Sequence, residues 1–127
     1  MQTIAIIGCG AIGEAVAGYL DGNDRVRLGV VIARPGGDRR AHDLYGPSVE
    51  TASSVQEVTS QVDLAVDCAG HEALREHGET VLSQGINLIT VSSGALADAG
   101  LYDRLVAAAR VGGTQLRVVS GAIGGLD

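Results

Sequence analysis

Thr3-Ile4-Ala5-Ile6-Ile7-Gly8-Cys9-Gly10-Ala11-Ile12-Gly13 is the stretch whose reading decides the fold. Thr3–Ile7 is a β-branched run that reads as a strand and ends at Gly8. Ala11–Leu20 carries Ile12, Ala15, Val16, Tyr19 and Leu20 at helical spacing, and Asp21-Gly22-Asn23 stops it. Between strand and helix the chain spells Gly-x-Gly-x-x-Gly, and each glycine has a physical task. Gly8 makes the tight turn, Gly10 lets a pyrophosphate approach the backbone, and Gly13 lets helix and strand pack closely. The amides of Ala11 and Ile12 face outward at the positive end of the helix dipole, so a phosphate can be held without a lysine. A glycine turn used for packing alone is the plainer alternative. The strand–turn–helix setting favours a dinucleotide site.

Outward from this stretch, strand and helix signals alternate. Val26–Ala33 is a nearly continuous apolar strand. Arg34–Pro47, with both prolines and Gly36-Gly37, reads as a loop, and Ser48–Thr51 as a brief strand. Ser54-Val55-Gln56-Glu57 has the spacing of a capping box and should open a short helix. Leu64–Cys68 is a buried strand and His71–Ser83 a helix with Leu74, Val81 and Leu82 inward. Ile86–Val91 is a fifth strand, and Ala99–Arg110 is a helix packed through Leu101, Leu105 and Val106, closed by Gly112-Gly113. Leu116–Val119 is the last strand. This alternation predicts an α/β fold of Rossmann type: a doubly wound, mainly parallel sheet with helices on both faces.

Composition agrees and excludes much else. The 127 residues make one domain, 46% hydrophobic and 19% charged, with nineteen glycines, no Phe and no Trp. All nine basic residues are Arg, which excludes a Schiff-base lysine or a Walker A lysine within the chain. A net charge of -6 argues against nucleic acid or an anionic membrane as partner. Cys9 and Cys68 form no CxxC, and no apolar run reaches the roughly 18 residues of a membrane span. With no leader-like segment, the expected location is cytoplasmic.

The second strand should end with a ribose-binding Asp or Glu in an NAD site, and none lies between Asp24 and Asp38. Arg34 stands there instead, with Arg39 and Arg40 nearby in the same loop. It can stack on adenine or pair with a 2′-phosphate, so the cofactor is NAD or NADP, with NADP favoured. The alternative is a solvated basic loop. Cys68-Ala69-Gly70 closes the fourth strand at the sheet's carboxyl edge, where cofactors run. Cys68, like Cys9, reads better as a small buried residue than as a reactive thiol. His71 could act as acid or base, but no acidic partner is visible, and a structural place at a helix N-terminus is favoured. His42 and His77 read as surface residues. Asp67 is either a shielded hydrogen-bond acceptor or an outward residue. Ser92 and Ser93 can hold ribose or nicotinamide, or can cap a helix. No metal-ligand spacing or catalytic triad emerges.

Four segments together resemble the cofactor domain of L-aspartate dehydrogenases: Ile7–Gly13, Val31-Ile32-Ala33-Arg34-Pro35, Ser92-Ser93-Gly94-Ala95-Leu96-Ala97-Asp98 and Ser120-Gly121-Ala122-Ile123-Gly124-Gly125-Leu126-Asp127. The resemblance spans the whole chain, and its last two segments are the specific ones. It implies interconversion of L-aspartate and iminoaspartate, with ammonia, by hydride transfer with NAD or NADP, feeding NAD biosynthesis. It places Ala122 against the cofactor and the catalytic histidine in a second domain, so no catalytic role passes to His42, His71 or His77. It further implies a dinucleotide-binding domain over residues 1–120, a connection beginning at 121–127, and a homo-oligomer formed through the second domain. The rival readings are the cofactor domain of a homoserine dehydrogenase or dihydrodipicolinate reductase, or a non-catalytic nucleotide sensor.

Overall fold

A computed structural model describes residues 1–92 and 94–119. Six strands, β1 (Gln2–Ile7), β2 (Val26–Ile32), β3 (Glu50–Ala52), β4 (Leu64–Asp67), β5 (Asn87–Thr90) and β6 (Leu116–Val118), form one sheet. Its order is β3-β2-β1-β4-β5-β6 and every neighbouring pair is parallel. The chain therefore winds outward from β1 in one direction and from β4 in the other, and the order reverses between them. Helices α1 (Ala11–Asp21), α2 (Asp38–Tyr45), α3 (His71–Ser83), α4 (Gly94–Ala97) and α5 (Ala99–Gly112) make the crossovers.

Alternation along the strands assigns the faces. Ala5, Ile7, Val30, Ile32, Ala65 and Leu88 pack with Leu74, Val81, Leu82, Leu101 and Leu105, which puts α3 and α5 on one side. Val31 packs with Ala41 and Val49, which puts α2 on the other. Pairing of β1 with β2 slips between Ile4 and Ala5, leaving Gly29 as the extra residue of a bulge. A side chain at Gly29 would meet Thr3 Cγ2 at 2.6 Å.

Four expectations change. The segment read as a loop contains α2, whose only buried residue is Ala41. Pro35 and Pro47 bracket this helix instead of breaking it, and contacts to the rest of the chain compensate for its weak apolar face. The capping box shifts by one residue. Glu57 accepts from the amide and hydroxyl of Ser53, at 3.0 and 2.8 Å, while Ser54 makes no cap bond, and the helix shrinks to a single 3-10 turn at Val55–Glu57. The brief strand runs over Glu50–Ala52, not 48–51. The apolar stripe of α1 is turned largely outward: Ile12 is 49% and Tyr19 74% exposed, and Gly13 is the helix's one buried residue. The helix lies on its glycine, where a Cβ would rest at 3.5 Å from Ile6 Cγ2 but would collide with the Tyr45 hydroxyl.

Gly112 shows how tightly the α3–α5 side is packed. A Cβ there would strike the Leu82 carbonyl oxygen, whereas a Cβ on the exposed Gly18 of α1 would meet nothing within 4 Å. Gly112→Ala should therefore destabilise the fold by roughly 2–3 kcal/mol through overpacking. Gly18→Ala should stabilise it by about 0.5–1 kcal/mol through helix propensity. Urea or thermal unfolding of the two variants against the parent checks both signs.

Candidate functional site

The glycine loop sits at the carboxyl end of β1, on the switch point between β1 and β4. Gly8 has φ +115° and its amide donates to the Ile32 carbonyl at 2.9 Å. A Cβ on Gly8 would lie 2.9 Å from Ala69 Cβ, so the β1 and β4 turns are in direct contact. Gly10 precedes α1 in extended conformation, and a Cβ there would enter open space. The first helical bond runs from the Glu14 amide to the Gly10 carbonyl, at 3.0 Å. The amides of Ala11, Ile12 and Gly13 therefore have no acceptor within the helix, and the positive end of its dipole is presented where Gly10 leaves room. This arrangement suits a phosphate.

Helix α2, hidden in the sequence reading, braces this loop. The Tyr45 hydroxyl donates to the Gly8 carbonyl at 3.1 Å. Arg40 donates through Nε and a terminal nitrogen to the Cys9 carbonyl, at 3.2 and 3.1 Å. Arg40 is thus no free loop cation, which corrects the grouping with Arg34 and Arg39. Burial pushes the Tyr45 phenol up to about 12, so it remains a donor throughout the neutral range. The signal for α2 was present as Ala41, Leu44 and Tyr45 at helical spacing behind Asp38.

A crevice of about 610 Å³ opens from Gly8 and Gly10 past Arg34 to the wall of α3. Arg34-Pro35-Gly36-Gly37 forms a turn closed by the Gly37 amide on the Arg34 carbonyl at 2.8 Å, with Gly36 at φ +84°. The Arg34 guanidinium lies exposed on this turn, with no ion-pair partner among the described residues. Cys68 and Ala69 line the same crevice. Burial first, then the neighbouring Asp67, pushes the Cys68 thiol up to about 11, and burial also raises Cys9 against the lowering effect of Arg40. Both behave as small packing residues, not nucleophiles.

Asp67 is the shielded acceptor of the two alternatives. It is fully buried and accepts from the amides of Ala69 and Gly70, at 3.0 and 3.1 Å, and from the Thr90 hydroxyl at 2.8 Å. Thr90 Oγ1 in turn accepts from the Ser92 amide at 3.0 Å. One carboxyl group thereby fixes the turns after β4 and β5 relative to each other. Ser92 lies at that second turn, while Ser93 and Ala122 lie outside the described residues.

The histidines depart from expectation. His71 does have an acidic partner, Asp98 at 3.2 Å, brought from the α5 N-cap. Arg75 reaches the same Asp98 oxygen at 2.7 Å, and the His71 ring lies where a side chain on Gly94 would have to go. His42 is half-buried, and its Nε2 donates to the Val49 carbonyl at 3.1 Å. His77 is only 8% exposed and lines the crevice. Neither is the surface residue the sequence suggested.

The comparisons with known proteins follow the same lines. The family model described as homoserine dehydrogenase, NAD binding domain, matches residues 8–119. An L-aspartate dehydrogenase of Ruegeria pomeroyi is 48% identical over 98% of this chain and 44% of its own length. One of Ralstonia nicotianae is 41% identical over 100% and 48%. The crystal structure of aspartate dehydrogenase from Thermotoga maritima, 31% identical, superposes with a TM-score of 0.71 over 100% of this chain and 49% of that one. The chain thus spans about half the length of the curated relatives it matches.

Two measurements test the site's internal geometry. A Cβ on Gly13 would collide with the Tyr45 hydroxyl. Gly13→Ala and Tyr45→Phe should each destabilise the fold, Tyr45→Phe by about 1 kcal/mol for its lost hydrogen bond. The double variant should lose less than the sum, because removing the hydroxyl relieves the collision. The second test concerns Asp98. The Leu101 amide first, then His71 and Arg75, hold this carboxyl below its ordinary value of 3.8. Its stabilisation is fully present above that value and is lost as pH falls through the lower folded one. Asp98→Asn should flatten acid unfolding in this window, read by circular dichroism.

Proposed function

The chain belongs to the family of homoserine dehydrogenase NAD-binding domains, and from that premise we propose that it forms the cofactor half of an L-aspartate dehydrogenase. The carrying observation is the crevice at the β1–β4 switch point, which joins an open helix N-terminus to a strand end bearing Arg34. The names of the relatives, conserved in two species at 48% and 41% identity, supply the substrate class.

In this reading the pyrophosphate rests on Gly8, Gly10, Ala11, Ile12 and Gly13. Arg40 and Tyr45 hold the loop carbonyls away from it, so that amides and not oxygens face the anion. Arg34 takes the 2′-phosphate of NADP, because β2 ends without a carboxylate to bond the ribose of NAD. Cys68, Ala69, Gly70 and Ser92, with Ser93 and Ala122, border the nicotinamide half. The bound dinucleotide supplies the hydride chemistry. The residues of this chain bind and orient it, and the carboxylate-binding, proton-handling groups come from elsewhere in the protein. Residues 1–120 are then the binding domain and 121–127 the beginning of a connection to a substrate domain, through which the protein self-associates. Two unpaired cysteines suit a reducing compartment, in keeping with a cytoplasmic enzyme. A homoserine dehydrogenase-type enzyme is the second reading, favoured by the description of the matched family.

Calorimetric titration with NADPH and NADH tests the assignment. NADPH should bind about tenfold tighter, a difference of about 1.4 kcal/mol. Arg34→Ala should remove most of that gap while leaving NADH nearly unaffected. Equal affinities in the parent chain would sink the 2′-phosphate assignment. Turnover of L-aspartate by this chain alone would overturn the division of labour.

A further inference from the structure

His77 stands out among the crevice residues. It is 8% exposed, lies mid-helix in α3, and stands 3.7 Å from Glu76 Oε1, beyond hydrogen-bond length. No buried side-chain nitrogen or oxygen of the described residues lacks a partner. Among the described residues the ring nitrogens of His77 form no hydrogen bond, they are not sealed in the core, and the residue lines the crevice. A polar ring buried to this degree costs free energy unless something on that side bonds it.

The surrounding wall limits what that can be. Glu72, Ala73, Glu76 and His77 recur at i, i+1, i+4 and i+5, one face of α3 turned to the crevice. Ala73, one turn before His77 on the same face, is small and leaves room beside it. With a pyrophosphate at Gly10 and a ribose at Arg34, this wall is what remains for the base. From this geometry we infer that Glu76 and His77 form an edge-reading subsite for the adenine of the cofactor. The inference rests on the dinucleotide reading above. The Glu76 carboxylate accepts from the exocyclic amine, and the His77 ring bonds the adjacent ring nitrogen. Hypoxanthine carries an oxygen in place of that amine and faces the carboxylate with a second acceptor, so the pair selects adenine.

The test compares NADPH with reduced nicotinamide hypoxanthine dinucleotide phosphate, titrated into this chain and its variants. The parent should prefer NADPH by about tenfold, as expected where a site's polar group is left facing the wrong partner. His77→Leu and Glu76→Ala should each bring the ratio close to one. Glu76 is 71% exposed at its side chain, so Glu76→Ala keeps its fold and decides the matter even if the His77 variant unfolds. A purely structural role for His77 would lower both affinities in parallel and leave the ratio intact, which would overturn the inference for that residue. Equal binding of both dinucleotides by the parent overturns the subsite and leaves the dinucleotide reading standing. Binding of neither overturns both.

Discussion

At the switch point of the sheet, two turns meet with room for a side chain on only one of them. Gly8, at φ +115°, would set a Cβ 2.9 Å from that of Ala69. This contact ties the end of β1 to the end of β4, the two strands from which the halves of the fold wind apart. Everything placed at the carboxyl edge is measured from it. The loop after Gly8 leads into the open N-terminus of α1, and the turn after Asp67 leads into α3 and the crevice wall. A bulkier residue at either position would part the turns and widen the crevice where it should grip a pyrophosphate.

Two polar devices carry that fixed distance outward. Asp67, buried between the strands, holds the amides of Ala69 and Gly70 and, through Thr90, the start of the turn at Ser92. Asp98 repeats the idea at the surface, where it caps α5 and takes His71 and Arg75 of α3. The first device is sealed from water and holds regardless of salt. The second is partly exposed and contributes less per contact. The carboxyl edge is thus stiff at its centre and softer at its rim.

The strands were legible because both faces of a parallel sheet are covered, so each reads as an unbroken apolar run. The glycine motif was legible because its three glycines answer to local geometry. Helix α2 was not, because four bonds to three carbonyls outside it, those of Gly8, Cys9 and Val49, anchor it more than its own weak apolar face. The outward turn of α1 was hidden for a related reason. Periodicity marks a stripe of Ile12, Val16 and Tyr19, but the buried residue is the one with no side chain to count, Gly13. Pairings across the fold were equally out of reach. The partner of His71 lies 27 residues downstream, and His77 is almost buried at the crevice although its helical spacing marks no such place. Sequence spacing reports what a residue does along its own element. The site is assembled between elements.

Tyr45 gives the protein a built-in optical probe. The chain holds no Trp and no Phe, and three tyrosines are its only aromatic residues. Tyr19 and Tyr102 lie out in solvent, at 74% and 37% exposure, while the Tyr45 hydroxyl is bonded to the first carbonyl of the glycine loop. Near-ultraviolet absorption and dichroism of this molecule therefore come from phenols alone, and one of the three is fastened to the loop where a phosphate would arrive. Any rearrangement of that loop is written into the spectrum at the red edge of tyrosine absorption, in the unlabelled native chain.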